Sequence, residues 1–85
     1  MTFLVYTEPQ AELGNTNCGT FNPFTNVITI MERAPEQMFH TLLHECVHGM
    51  LYALGYHSDE HDEKLVDGLA YQLFMLVKDN KAMFE

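Results

Sequence analysis

The chain has 85 residues, 47% of them apolar, with 12 acidic side chains against four basic ones and a net charge of −8. That length makes one small domain, residues 1–85, whose core alone leaves it marginally stable without a metal, a disulfide or a partner. The acidic balance repels phosphate backbones and argues against nucleic acid as a direct partner, and no stretch nears the roughly 18 apolar residues that span a bilayer.

Taken in chain order, the first element is a short apolar run, Leu4 to Tyr6, which predicts a strand. No basic segment precedes it and no small-residue cleavage site follows it, so the expected compartment is the cytoplasm. There Cys18 and Cys46 are expected to stay reduced. Glu8 to Asn17 carries Pro9, Gly14 and two Asn and reads as a loop. Cys18 to Phe21 and Asn26 to Met31 flank the turn-type cluster Asn22-Pro23-Phe24-Thr25, which predicts an antiparallel hairpin. Alternation puts Ile28 and Ile30 on one face of its second arm and Val27, Thr29 and Met31 on the other.

Pro35 and Glu36 open a helix, with proline in the first turn and an acid at the positive end of the helix dipole. Its apolar residues, from Met38 to Leu54, recur at three-to-four spacing, which predicts a buried stripe ending at Gly55. Cys46 falls on that buried side as a small core residue. A second helix is predicted to start with Ser58 or Asp59 as its cap and to fray near Asp79-Asn80. The acids Asp59, Glu60, Asp62 and Glu63 read as its solvated first turn. The fold class these elements predict is α+β, a short antiparallel sheet packed on two antiparallel helices.

The first helix carries His44-Glu45-Cys46-Val47-His48, an H-E-x-x-H motif. Side chains four apart on a helix share a face, so His44 and His48 can present two imidazoles to one ion. Glu45 then lies beside the ion, where a carboxylate can take a proton from water. Catalytic zinc sites add a third protein ligand and leave one position open. If the helices form a hairpin turning at Gly55-Tyr56, His48 faces Glu63 and His44 faces Asp67, with Gly68 allowing close approach. That pairing nominates Glu63 as the third ligand and Asp67 as acceptor of the free ring N–H of His44. His57 and His61 compete for the third position. Leu51 and Leu54 stand where an extended H-E-x-x-H-x-x-G-x-x-H motif would need Gly and His. His40, one turn before His44, is expected at the lip of the site.

The hairpin, the entry Thr41-Leu42-Leu43 before His44-Glu45, and the later Glu63-x-x-Val66-Asp67-x-Leu69-Ala70 together resemble the small, often phage-encoded zincin-like metallopeptidases, related in pattern to the ImmA/IrrE-like proteases. The resemblance covers roughly residues 18–74. It implies a minimal zincin-like fold and a gluzincin site: one Zn2+ per chain on His44, His48 and Glu63, with Glu45 as catalytic base and Asp67 behind a ligand. It also implies a peptide or protein substrate. The expected strand over Asn26 to Met31 would then offer an edge to an extended peptide, and Tyr52, Tyr56, His57 or His61 would supply a donor to the oxyanion. A zinc-stapled interaction module without turnover is the alternative, and a metal-free helical interaction domain a further one. A monomer or a small homo-oligomer fits six Met and a free sheet edge.

Overall fold

The computed structural model describes residues 2–9 and 19–83. Of the loop expected over Glu8 to Asn17, Glu8 ends the first strand instead, and residues 10–17, with Cys18, lie outside the described residues. The architecture is α+β: strands β1 (Leu4–Glu8), β2 (Gly19–Asn22) and β3 (Val27–Met31) form one sheet, helix α1 (Pro35–Ala53) packs on it, and helix α2 (Glu63–Asp79) packs on α1. Among the described residues, no helix is long and apolar enough to cross a membrane.

β2 and β3 make the expected antiparallel hairpin, with Gly19 opposite Ile30 and Asn22 opposite Val27. Its turn is built by asparagine. The Asn22 side-chain oxygen accepts the N–H groups of Phe24 and Thr25 at 2.9 and 3.3 Å, and Asn26 takes a left-handed φ of 57°, a conformation asparagine tolerates better than most residues. β1 then pairs with the other side of β3 in parallel, from Leu4 opposite Val27 to Glu8 opposite Met31. The sheet is therefore mixed, in the order β1-β3-β2. This corrects one expectation: β3 is the central strand, both its sides are paired, and it offers no edge to a peptide. Its β-branched Val27-Ile28-Thr29-Ile30 suits a strand flanked on both sides. Ile28 and Ile30 are buried as the alternation predicts, and Met31 is buried with them where the chain turns off the sheet towards α1.

Two rows of α1 residues do different work. Thr41, Glu45 and Gly49, four apart, are buried, and the sheet lies over them. A Cβ added to Gly19 of β2 would sit 2.8 Å from Thr41 Cγ2 and 3.5 Å from Glu45 Cγ. One added to Gly49 would meet the Phe3 ring at 2.6 Å and Phe21 Cζ at 3.3 Å. Close approach is thus made at Gly49, against the sheet. Gly68 is exposed, and nothing lies within 4 Å of the Cβ it lacks, so it plays no part in bringing the helices together.

α1 stops in a Schellman arrangement: Gly55 donates to the Tyr52 carbonyl and Tyr56 to the Leu51 carbonyl, both at 3.0 Å, with Gly55 at φ 97°. The chain does not enter α2 at once. Residues Ser58–Glu60 form a 3₁₀ turn in which the Glu60 carboxylate accepts the His57 N–H at 2.9 Å. Asp62 is the cap of α2, accepting the N–H groups of Lys64 and Leu65 at 3.0 and 3.4 Å. The expected cap at Ser58 or Asp59 is corrected, and Glu60 serves the turn instead of a first helical turn. Between the helices sit Val47, Val66 and Ala70, packed by Leu43, Leu51 and Leu73. Lys78 reaches Glu36 at 3.9 Å, tying the end of α2 to the start of α1, as an antiparallel pair requires.

Candidate metal centre

His44 and His48 project from α1 towards the first turn of α2. His48 Nε2 lies 3.0 Å from Glu63 Oε1, and His44 Nε2 lies 3.3 Å from Glu63 Oε2. One ligand atom from each of the three falls within 4.8 Å of the others. Glu63 can reach both rings because it is the first helical residue after the Asp62 cap. On the other side of the first ring, His44 Nδ1 lies 3.4 Å from Asp67 Oδ1. An ionised carboxylate only accepts. Each ring nitrogen of His44 thus faces a carboxylate, and a metal ion on Nε2 would leave the ring proton on Nδ1, against Asp67.

The donor set fits a zinc ion. Two imidazole nitrogens and one carboxylate are the protein ligands of a catalytic zinc site, and a tetrahedral ion with bonds of about 2.0–2.1 Å spaces its ligands roughly 3.3 Å apart. Glu63 is 69% exposed, so the group opens to solvent at the carboxylate and leaves room for a further ligand. Burial lowers the pKa of His48, with the negative Glu63 pulling the other way. The neutral ring it favours is the form that ligates metal.

Glu45 is 8% exposed, on the row of α1 under β2 and one position round from the histidines. Burial holds its carboxyl above the ordinary value of 4.5. The electrostatic effect of His44 opposes that rise, and the nearby Glu63 charge adds to it. Two cavities meet at this residue. The smaller, about 210 Å³, is lined by Phe21, Glu45, His48, Tyr52, His61 and Glu63. The larger, about 680 Å³, runs from Gly19 and Glu45 past His40 and Asp67 to Tyr71 and Phe74. The ligand group is thus shared between them, His44 lining the larger and His48 and Glu63 the smaller, and Glu45 stands at their junction.

The chain matches no family profile, no curated protein and no solved structure.

The remaining histidines divide clearly. His40 stands at the lip of the larger cavity, its ring edge-on to Tyr71 and Phe74 and its Nε2 buried without a hydrogen-bond partner, 4.0 Å from Asp67. His57 is exposed and is tied to Glu60 through its backbone, its N–H donating to the Glu60 carboxylate and its carbonyl accepting from the Glu60 N–H, both at 2.9 Å. His61 does not join the three-residue group: its Nδ1 meets His48 Nδ1 at 2.7 Å, and its Nε2 meets the Tyr56 carbonyl at 3.3 Å. Both ring nitrogens are occupied, which leaves His61 no free donor for an oxyanion. Tyr52 lines the smaller cavity, with its ring 4.6 Å from that of His61. Sequence reasoning weighed His61 as a ligand and missed its contact with His48; it also missed Gly49, although a residue without a side chain immediately after His48 was the available signal.

Proposed function

We propose that this chain is a zinc-dependent metallopeptidase of the gluzincin pattern, holding one zinc ion on His44, His48 and Glu63 and hydrolysing a peptide or protein substrate. The observation that carries the proposal is the convergence of two imidazoles and a carboxylate from two helices, with the buried carboxylate of Glu45 on the adjoining face of α1. The ion, when bound, supplies Lewis acidity, polarising a carbonyl and bringing the pKa of water towards neutrality.

The chain's own residues supply the rest. Glu45 takes the proton of the attacking water and delivers it to the departing amine. Its burial makes the carboxylate a stronger base than an exposed glutamate. Asp67 keeps the His44 proton on Nδ1 and the ring in its ligating orientation. Since β3 is central, the peptide is received by β2, whose outer side has no strand partner among the described residues. That strand passes over Thr41 and Glu45 at Gly19, so a chain added to it in extended form runs beside the base. The larger cavity takes the side chains.

A second reading has its own support: Ile28 and Val66 are the only large side chains fully buried among the described residues. An ion bridging α1 to the start of α2 would staple so small a core, and the protein would be a binding module. Metal content and peptide hydrolysis, measured on the wild type, Glu45→Gln and Glu63→Ala, decide between them. The peptidase reading expects about one zinc per chain, kept in Glu45→Gln and lost in Glu63→Ala, with turnover absent from both variants. Zinc bound and no turnover in the wild type against a broad peptide library supports the module. No zinc in the wild type removes both.

A further inference from the structure

We propose that His61 is a positioning residue for the metal centre, fixing the tautomer of His48 so that its Nε2 is the bare, ligating nitrogen. The inference rests on the metal-centre reading and deepens it. The Tyr56 carbonyl can only accept, and His61 Nε2 lies 3.3 Å from it, so a neutral His61 that donates there keeps its one N–H on Nε2 and leaves Nδ1 an acceptor. His48 Nδ1 lies 2.7 Å from that acceptor. On the other side of the His48 ring Glu63 Oε1, 3.0 Å from Nε2, also accepts, so without a metal the two acceptors compete for one proton. An ion on Nε2 would leave that proton on Nδ1, where His61 receives it.

The two histidines of the motif are thus oriented alike by different partners. Asp67 accepts from His44 Nδ1, and His61 accepts from His48 Nδ1. A neutral partner for the second ring has an electrostatic reason, because Glu45, Glu63 and Asp67 already place three carboxylates around the pair and a fourth would add repulsion. The arrangement also accounts for the late start of α2. Tyr56 is anchored by the Schellman bond to Leu51, the 3₁₀ turn carries the chain round, and His61 returns to α1 immediately before the Asp62 cap. Its ring lies nearly parallel to that of His48, 14° between planes, and is packed by Tyr52 at 4.6 Å.

The test uses the full chain as wild type, His61→Phe and His61→Asn. Phe keeps an aromatic ring beside Tyr52 and removes the acceptor; Asn places an amide oxygen close to where Nδ1 stands. Zinc affinity is read by competition with a chromophoric chelator, and the ring tautomers by long-range ¹H–¹⁵N spectra of the zinc-loaded protein at pH 8. Expected are a wild-type His48 protonated on Nδ1, affinity about 10–100-fold weaker in His61→Phe, and recovery of most of that loss in His61→Asn. A wild-type His48 protonated on Nε2 would overturn the proposal. So would a Phe variant that binds as tightly as the wild type, or Phe and Asn variants that lose affinity equally. Failure of the zinc reading looks different: no form, the wild type included, binds zinc, and the positioning claim falls with it.

Discussion

The two rows of α1 make an instructive contrast. Thr41, Glu45 and Gly49 lie under the sheet, and His40, His44 and His48, one position earlier in each turn, look towards α2. The first row is governed by space: a glycine meets two phenyl rings and another glycine admits a threonine methyl. The second is governed by charge and proton placement, with each ring nitrogen of the motif histidines facing a carboxylate or the His61 ring. Glu45 alone belongs to both. It is buried by the first row and, as the proposed base, would act on the second: one helix gives a carboxylate an environment that raises its pKa beside the candidate ligands.

The largest expected effect tests that double membership. Glu45→Gln keeps the volume under β2 and removes the base, so turnover should fall by about 10²–10⁴-fold, the ordinary worth of a positioned general base. Zinc content and the far-ultraviolet spectrum should be unchanged. Loss of zinc together with activity would mean that Glu45 shapes the ligand row and the two rows are not separable.

Next comes a purely steric break. Gly49→Val forces branched methyls into Phe3 and Phe21, and overpacking of this kind costs about 1–3 kcal/mol, a fall of about 4–8 °C in Tm for each kcal/mol in a domain of this size. Zinc affinity should hold in the fraction that folds. A variant that melts with the wild type would show that the sheet is free to lift off α1.

Asp67→Asn probes the charge row more gently. The amide oxygen still accepts from His44 Nδ1, so zinc affinity should fall by less than in Asp67→Ala, for which the loss of an orienting partner predicts about 10–100-fold. Equal losses, read by the same chelator competition, would give the negative charge rather than the hydrogen bond the leading role.

The contrast also explains what the sequence made legible. Apolar stripes in both helices fixed the antiparallel pairing, and with it the facing of His48 with Glu63 and of His44 with Asp67, because helical periodicity is a local property. Three features were not local. Ser58, Asp59 and Asp62 are all good caps by residue type, and the choice of Asp62 goes with a long-range contact between His61 and His48. The central place of β3 depends on pairing with a strand some twenty residues away, which alternation within either strand does not encode. Gly49 and Gly68 look equivalent until one knows which row of α1 lies under the sheet.

The smallest effect concerns Glu45 in the metal-free protein, where burial disfavours its charged form. Its folded pKa is raised above the ordinary 4.5, so the fold binds this proton more tightly than the unfolded chain does, and ionisation of Glu45 subtracts from stability. The penalty is absent below the unfolded value, grows as pH rises through 4.5, and stops growing above the folded value. Glu45→Gln carries no such penalty. Its Tm should match the wild type near pH 4, exceed it increasingly above pH 4.5, and then keep a constant lead. Glu63→Gln should shrink that lead, because it removes the like charge that adds to the rise. A lead that closes with rising pH would mean that the Glu45 carboxylate is stabilised where it lies, by contacts stronger than its burial, and the division of α1 into a row of space and a row of charge would fail at the one residue they share.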